Sequence, residues 1–426
     1  MLLVFFCAIL ATAVYLCVHV LGARWLPWPA RAALCVLILA ASQMHAIQRG
    51  LFGSLSGPDM PAWLLKTQAA LFCAFILLGL LALCRDAGRL LCWLARRSRP
   101  RSRAPSRQAP SRQAAGPASP GRRRFLQEGM ASAAFWTGAP AASLALGACG
   151  TACGTAQPAV RETVLAVPGL DPALEGLCIV HLADLHIGPL TSRDWVRQLC
   201  RDANACRPDL VCLTGDLADG ACSYRAAGGG SRREAALELS ALQARLGVFA
   251  CTGNHEYYSG YADWMAVYRE AGIRLLHGEA MALDAGRAPL VLAGLDDPAA
   301  ARILAIPPKP LAEVLAKTPD LPKQAFAVVM DHRPGRAFDN AMAGASLQLS
   351  GHTHGGQCLG MARIVAKANR GLVAGWYRTA GMPLYVTAGA GLWPGFPVRL
   401  GVPAEIAVIR LARAAGGALE ADGKAL

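Results

Sequence analysis

Five short polar motifs, each placed directly after an apolar strand-like run, constrain the fold of this chain more than any other feature of its sequence. From residue 160 onward such runs alternate with helical patterns, which predicts a layered α/β domain. Loops at the carboxyl ends of strands in such domains converge on one crevice, so we expect the motif side chains to meet. The candidate residues are Asp184, His186, Asp216, Asn254, His255, His332, His352 and His354.

The chemistry of these side chains indicates a metal site. Residues 351–357 read GHTHGGQ, and in extended backbone two histidines at positions i and i+2 project to the same side. The other motifs add carboxylates and an amide oxygen but no thiolate. This ligand set favours Mn, Fe or Zn over a cysteine-rich structural zinc site. Five of the nine histidines belong to the motifs.

The cysteines do not indicate a disulfide framework. There are 15, an odd number, and no two have the CxxC spacing. Several lie inside apolar runs, where cysteine behaves as a small buried hydrophobic residue. The pattern therefore excludes both a disulfide-stabilised scaffold and a zinc-finger module.

The first 97 residues are predicted to be a membrane region with three transmembrane helices. Apolar runs at 2–21, 32–47 and 63–84 approach or reach the length that spans a bilayer. Tryptophans at the borders of the runs are typical of interfacial anchors. For any single run the alternative is a buried core helix.

Residues 98–124 are predicted to be a basic, disordered linker. The stretch is rich in Arg, Pro and Ser and lacks apolar periodicity. It carries much of the net charge of +14, so the charge does not indicate a nucleic-acid partner for the rest of the chain. The positive-inside rule places the linker on the cytoplasmic side, close to anionic membrane lipids. A nucleic-acid-binding tail is the weaker alternative.

Residues 125–150 begin within the sequence GRRRFLQ (121–127), which leads into a mildly apolar segment at 130–149. This resembles a twin-arginine export signal, which would make the export machinery a partner. The alternatives are a fourth membrane helix that acts as a signal anchor, a lipoprotein cleavage site at 146–149, and a helix that never inserts, which would leave the following domain in the cytoplasm.

The ordered motifs resemble those of the calcineurin-like metallophosphoesterases, in particular the membrane-anchored bacterial branch. The matching segments are DLH (184–186), GDLAD (215–219), GNHE (253–256), HRP (332–334) and GHTH (351–354). Each motif is weak alone, but five in order at compatible spacings are specific. The resemblance implies a four-layer αββα sandwich of two mixed sheets over residues 156–415. We expect residues 416–426 to form a flexible tail.

The resemblance also implies roles for the motif residues. Asp184, His186 and His354 would hold one divalent ion. Asn254, His332 and His352 would hold a second ion. Asp216 would bridge both, and His255 would be the non-ligand catalytic histidine, close to the leaving-group oxygen. Hydroxide bridging the two ions would then attack phosphorus.

The leading hypothesis is a multi-pass protein of the cytoplasmic (inner) membrane whose phosphoesterase domain faces the periplasm or the outside. Its substrate would be a phosphomonoester or phosphodiester, with a lipid-linked phosphoester among the candidates. One alternative is a cytoplasm-facing pyrophosphatase acting on a nucleotide-activated lipid such as UDP-diacylglucosamine. Another is a non-catalytic membrane sensor. Arg399 is expected either to contact phosphate or to pair with Glu405.

Overall fold

The computed structural model describes residues 2–23, 25–53, 57–98, 120–225, 230–286, 288–322, 324–414 and 418–426. The chain divides into two compact units. One comprises Met1–Met44 and Ala70–Ala148, and the other comprises His45–Ala69 and Cys149–Leu426. Most of the predicted linker, at 99–119, lies outside the described residues.

The helices and strands are numbered in chain order. The helices are α1 (Leu2–Gly22), α2 (Trp28–Ser42), α3 (Met44–Phe52), α4 (Ala62–Arg97), α5 (Pro120–Thr155), α6 (Arg193–Ala205), α7 (Arg232–Leu237), α8 (Asn254–Tyr258), α9 (Tyr261–Glu270), α10 (Ala299–Ile303), α11 (Leu311–Lys317), α12 (Ala337–Met342) and α13 (Ala362–Ala368). The strands are β1 (Ala159–Val167), β2 (Cys178–Leu182), β3 (Leu210–Thr214), β4 (Val248–Cys251), β5 (Arg274–Leu275), β6 (Glu279–Asp284), β7 (Pro289–Gly294), β8 (Phe326–Met330), β9 (Leu347–Ser350), β10 (Gly375–Thr379), β11 (Met382–Val386), β12 (Glu405–Arg413), β13 (Glu420–Ala421) and β14 (Lys424–Ala425).

Two mixed sheets form the centre of the larger unit. The first has the order β14-β13-β1-β12-β2-β3-β4-β5, and the second has the order β10-β11-β9-β8-β7-β6. In the first sheet β2, β3, β4 and β5 are parallel, and β12 runs antiparallel to β2. In the second sheet β7, β8, β9 and β11 are parallel, and both edge strands are antiparallel to their neighbours.

The sheets pack face to face and carry helices on their outer faces. Ile179 of the first sheet and Leu292 of the second belong to the same buried cluster between the sheets. A second cluster packs α6, α7 and α9 on the outer face of the first sheet. A third packs α11 and α12 on the outer face of the second sheet. The predicted four-layer αββα sandwich of two mixed sheets is therefore present.

The strands that carry the motifs are buried on both faces. Every residue of β2 (CIVHL) and β3 (LVCLT) is buried, as expected for parallel strands covered by layers on both sides. Burial on both faces fixes the register of these strands, because a slip by one residue would exchange the two faces. The loops that follow β2, β3, β4, β8 and β9 consequently start from fixed points.

The structure corrects the prediction of a flexible C-terminal tail. Part of it folds into the short hairpin β13–β14, which pairs with β1 at the edge of the first sheet. The turn between the two strands is Asp422-Gly423, with φ values of 50° and 72°. Asp-Gly with positive φ at both positions is a strong signal for a two-residue hairpin. The Asp422 carboxylate also accepts hydrogen bonds from the Thr163 hydroxyl and the Val164 amide, at 2.8 and 3.0 Å.

The three predicted membrane spans are only partly reproduced. Among the described residues α4 is the one straight helix that is long and apolar enough to cross a membrane. Helices α2 and α3 meet that standard only as a pair, and the pair is bent by 60°. Helix α1 has 21 residues, and within it Phe6–Gly22 forms a shorter apolar helix. The predicted export signal lies within α5, which contains Pro140.

Within the smaller unit α5 runs antiparallel to α4. A Cβ atom placed on Gly147 would lie 2.3 Å from the Ala70 carbonyl oxygen, so the two backbones touch there. Farther along, Arg85 donates to the Ser132 hydroxyl at 2.8 Å and stacks over Phe135. Small residues at such a crossing allow close helix packing in membranes.

Helix α1 runs parallel to α4. Tyr15 donates to Asp86 at 2.9 Å, and Thr12 lies against Gly79 one to two turns earlier in each helix. Helix α2 returns antiparallel to α1, since Arg31 donates to the Leu21 carbonyl at 2.9 Å. The α1–α2 turn and the end of α4 therefore lie at the same end of this unit.

The C-terminal hairpin predicts a measurable contribution to stability. Replacing Asp422 with Ala removes two hydrogen bonds and places Ala at a positive φ. We expect the thermal unfolding midpoint to fall by roughly 2–8 °C. Exposed Lys424→Ala in the same hairpin is the control and should leave the midpoint unchanged. Equal midpoints for both variants would mean that the segment does not stabilise the sheet.

Candidate metal centre

The loops after five strands bring the predicted side chains together, and they do so through strained backbone. Five of the predicted ligands adopt positive φ angles between 45° and 70°: Asp184, His186, Asp216, His352 and His354. Positive φ is uncommon for residues other than glycine and costs about 1–3 kcal/mol at each position. Such strain concentrates at functional sites, where the surrounding structure holds it in place.

The first ligand group comprises Asp184, His186 and His354. One ligand atom from each residue lies within 4.8 Å of the others. The Nε2 atoms of the two histidines are 3.0 Å apart, and His354 Nε2 is 3.4 Å from Asp184 Oδ1. Two imidazole nitrogens and a carboxylate that face one point form a donor set suited to a divalent cation.

The second ligand group comprises Asp216, His332 and His352. His332 Nε2 lies 3.1 Å from Asp216 Oδ2. The opposite nitrogen, Nδ1, is 2.8 Å from the Thr214 carbonyl oxygen and therefore donates its proton there. This contact leaves Nε2 as the nitrogen that faces the site, in the tautomer that metal-binding histidines use.

Asn254 provides an independent test of whether the site fits a metal ion. The side chain is buried, and its Oδ1 atom has no hydrogen-bond partner. A buried amide oxygen without a partner is costly unless it coordinates something. Together with the two ligand groups, this unpaired oxygen fits the predicted pair of divalent ions.

Main-chain amides fix the two carboxylates. The His352 amide donates to both oxygens of Asp184 at 3.0 Å, and the His255 amide donates to Asp216 Oδ1 at 2.8 Å. Two of the motifs thus bind a carboxylate of another motif through their backbone. His352 donates from left-handed backbone with φ of 70°, and His255 donates from the first turn of α8.

Burial and mutual charge shift the pKa values of these groups in opposite directions. Burial raises the pKa of Asp184. Burial would also raise the pKa of Asp216, but the facing His332 and His255 hold it well below its usual range. For His332, burial would lower the pKa, and the Asp216 carboxylate instead raises it to about 10. The carboxylates and imidazoles of the site therefore control one another's protonation.

His255 does not join either of the two ligand groups just described. Its Nδ1 atom hydrogen-bonds the Asp219 carboxylate, and its Nε2 atom is 3.9 Å from Asp216 Oδ2. Burial would lower the pKa of His255, but Asp219 and Asp216 raise it to about 9. An imidazole that retains its proton near neutral pH can act as a general acid.

Asp219 is a site residue that the sequence analysis missed. It is fully buried, and its two oxygens contact His255 Nδ1 and His186 Nδ1, the latter at 2.7 Å. One carboxylate thus orients both rings and directs both Nε2 atoms into the site. The signal was present in the sequence, because Asp219 is the last residue of the GDLAD motif.

Glu256 is a second missed residue. Its carboxylate accepts from the amides of Asp216, Leu217 and Gly253 at 2.7–3.0 Å. It therefore joins the loop after β3 to the loop after β4 and fixes the distance between their ligands. Its position inside the GNHE motif was the available signal.

Arg399 has neither of its two predicted roles. It is buried, and its guanidinium donates to the main-chain carbonyls of Ala388, Gly389 and Gly391. Burial lowers its pKa to about 10. Glu405 instead accepts from Tyr385, Thr387 and the Ala388 amide. Arg399 thus stabilises the loop that follows β11.

The double contact of Asp219 predicts a loss of metal affinity on substitution. Asp219→Asn keeps the volume but removes the charge and one acceptor, so one of the two rings loses its orientation. We expect roughly 10- to 100-fold weaker metal binding, measured by titration calorimetry. Exposed Asp320→Asn serves as the matched control. Wild-type affinity in Asp219→Asn would show that the carboxylate does not orient the ligands.

Comparison with known proteins agrees with this geometry. The profile of the calcineurin-like phosphoesterases matches residues 178–356, which include all five motifs. The chain is 33% identical over 262 residues to a transmembrane protein with metallophosphoesterase domain from Bos taurus. This alignment covers 58% of this chain and 56% of the relative. It is 30% identical over 259 residues to an uncharacterized metallophosphoesterase from Helicobacter pylori, covering 61% and 65%.

A relative from Aquifex aeolicus, also an uncharacterized metallophosphoesterase, is 30% identical over 237 residues. The alignment covers 55% of this chain and 84% of that relative. The chain spans less than two thirds of the length of the Bos taurus and Helicobacter pylori relatives, so the comparison concerns the domain that holds the motifs. The chain belongs to the calcineurin-like metallophosphoesterases.

Proposed function

We propose that this chain is a membrane-anchored phosphoesterase that hydrolyses a phosphate ester at a dinuclear metal centre. The observation that carries the proposal is the convergence of two ligand groups and the unpaired Asn254 oxygen in one buried site. Asp184, His186 and His354 would hold one ion, and Asn254, His332 and His352 would hold the other. Asp216 is assigned as the ligand that both share.

Two bound divalent ions would neutralise charge on the phosphoryl oxygens and lower the pKa of a water molecule between them. The residues of the chain supply the remaining functions. His255, held by Asp219, donates a proton to the departing oxygen, a contribution of about 10²- to 10⁴-fold in rate. Arg333 adds positive charge at the edge of the site, because its Nη1 atom lies 3.2 Å from His352 Nε2. An ion pair with Asp297 holds that guanidinium in place.

Metal removal and two substitutions test the proposed chemistry. The purified full-length chain should cleave an aryl phosphodiester, lose this activity on chelation, and regain it with Mn, Fe or Zn. Asp216→Asn should lose both bound metal and activity. His255→Ala should retain metal, measured by mass spectrometry, and lose about 10²- to 10⁴-fold in kcat.

Other outcomes of the same experiment would contradict the assignments. Loss of metal from His255→Ala would make His255 a ligand. Wild-type cleavage by Asp216→Asn would refute the dinuclear centre. A wild-type chain that contains no metal after native purification would favour the non-catalytic sensor.

Packing in the smaller unit supports membrane anchoring. Helix α4 is long and apolar enough to cross a bilayer, and α5 lies antiparallel against it from the contact at Ala70 to the contact at Arg85. Because α5 packs along the apolar length of α4, a bilayer that surrounds α4 would surround α5 as well. We therefore propose that α5 crosses the membrane as well, as the fourth membrane helix of the sequence analysis. Use of the twin-arginine-like sequence by an export machinery rests on the sequence alone.

The distribution of arginines supports an outward-facing catalytic domain. The α1–α2 turn, with Arg24 in the sequence and Arg31 at the start of α2, lies at the same end as the C-terminal end of α4. The arginine-rich linker follows α4 in the sequence. The positive-inside rule places that end in the cytoplasm. The opposite ends of α4 and α5 lead into residues 57–61 and 149–155, which belong to the catalytic unit.

A topology reporter tests this orientation. Fused after Leu426, the reporter should be active only outside the cytoplasm. The same reporter inserted within residues 99–119 is the control and should be active only inside. Cytoplasmic activity of the Leu426 fusion would reverse the assignment and favour the pyrophosphatase that acts on a nucleotide-activated lipid.

We propose a substrate phosphate that lies at the membrane surface, carried by a lipid. The segment directly after the His354 loop leads into α13, a helix without a buried residue. Leu359 and Ile364 of this segment are 78% and 61% exposed, and Arg363 and Lys367 are also exposed. Exposed apolar and basic residues side by side are typical of helices that lie on anionic membranes. A panel of lipid and nucleotide phosphoesters with each metal would identify the substrate.

A further inference from the structure

Residues 57–60, which Pro61 separates from α4, lie on the catalytic domain rather than apart from it. Gly57, Pro58 and Met60 are buried, and Asp59 is the exposed residue of the four. These residues belong to the same compact unit as the metal centre. The sequence analysis assigned them to the membrane region, because they connect two apolar runs.

One buried arginine fastens this segment. Arg232, at the start of α7, donates to the Asp59 carboxylate at 2.7 Å and to the Pro58 carbonyl at 2.8 Å. Its guanidinium also donates to the Ala221 carbonyl and stacks over the Tyr224 ring at 4.5 Å. The Arg232 side chain is 3% exposed. A buried guanidinium needs a partner of opposite charge, and Asp59 provides it.

The fastened segment presses against the turn that contains Asp219. A Cβ atom placed on Gly57 would lie 2.3 Å from Gly220 N and 2.8 Å from the Asp219 carbonyl carbon. No side chain fits in that space, so the two backbones are in direct contact. From the other sides Gly220 donates its amide to Ser259 and accepts from the Trp264 indole, both at 2.9 Å.

The backbone contact between Gly57 and Gly220 lies beside a residue that orients side chains of the metal centre. Asp219 is the neighbour of Gly220 and orients the rings of His186 and His255 through its two oxygens. A shift of the Gly220 backbone moves the Asp219 carboxylate and therefore both Nε2 atoms. Groups that orient metal ligands typically affect affinity or activity by about 10- to 100-fold when removed.

We propose that the 57–60 segment is a positioning element of the metal centre, held on the Asp219–Gly220 turn by Arg232. The segment that precedes α4 in the chain thus completes the catalytic domain. This inference rests on the proposed metal centre. It assigns Gly57, Asp59 and Arg232 to positioning, and none of them touches the reacting atoms.

The test uses one substitution at two nearby glycines of the full-length chain. Gly57→Ala introduces a methyl group where the structure has backbone, whereas a Cβ atom on Gly50 meets nothing within 4 Å. We expect Gly57→Ala to weaken Mn²⁺ binding by roughly 10-fold and to lower kcat at limiting Mn²⁺ while KM stays near wild type. Excess Mn²⁺ should restore kcat, and Gly50→Ala should match wild type throughout.

A second variant keeps the inference testable if Gly57→Ala does not fold. Asp59→Ala removes the ion pair and adds no atoms, and it should lower Mn²⁺ affinity in the same direction. Wild-type Mn²⁺ affinity and kcat in Asp59→Ala and in any folded Gly57→Ala would overturn the inference and leave the proposed function intact. A wild-type chain that binds no Mn²⁺ and cleaves no phosphodiester would overturn both.

Discussion

The proposed metal centre depends on one buried carboxylate. Asp219 holds His186 and His255 by their Nδ1 atoms, so both rings present Nε2 to the same pocket. A displaced carboxylate at this position would free both rings at once, and a neutral amide would free one of them. The carboxylate is itself held through Gly220, which touches Ser259, Trp264 and the segment before α4. Ligand orientation is therefore a property of the surrounding packing as much as of the ligands.

The fold can support the strain and charge that such a site requires. Left-handed backbone at five ligands and buried carboxylates both cost free energy. The loops that carry them begin at strands buried on both faces between two packed layers, so the strand ends have little freedom to relax. Glu256 adds a direct link between two of these loops through main-chain amides. A centre preorganised in this way loses little entropy when it binds metal.

The sequence predicted the catalytic fold better than it predicted the segments around it. Strand-end motifs predicted that the candidate side chains converge, because loops at the carboxyl ends of strands meet in α/β domains. Seven of the eight candidates lie in clusters of possible metal ligands. The prediction of a flexible C-terminal tail was wrong. The Asp422-Gly423 turn signal was missed because the strands that it joins have only two residues each. The second predicted span was interrupted between α2 and α3. The domain boundary was also too narrow, since residues 57–60 and 149–155 belong to the catalytic unit.

The sequence by itself determined the type of ligand, the order of the motifs and their placement after strands, because these depend on local pattern and residue chemistry. Only the tertiary structure decided which ligands face each other and that Asp219 serves two rings. It alone joined Arg232 to Asp59, which is 173 positions away in the chain. Contacts over such separations arise from the packing of layers and helices, and a periodic pattern along the chain carries no information about them.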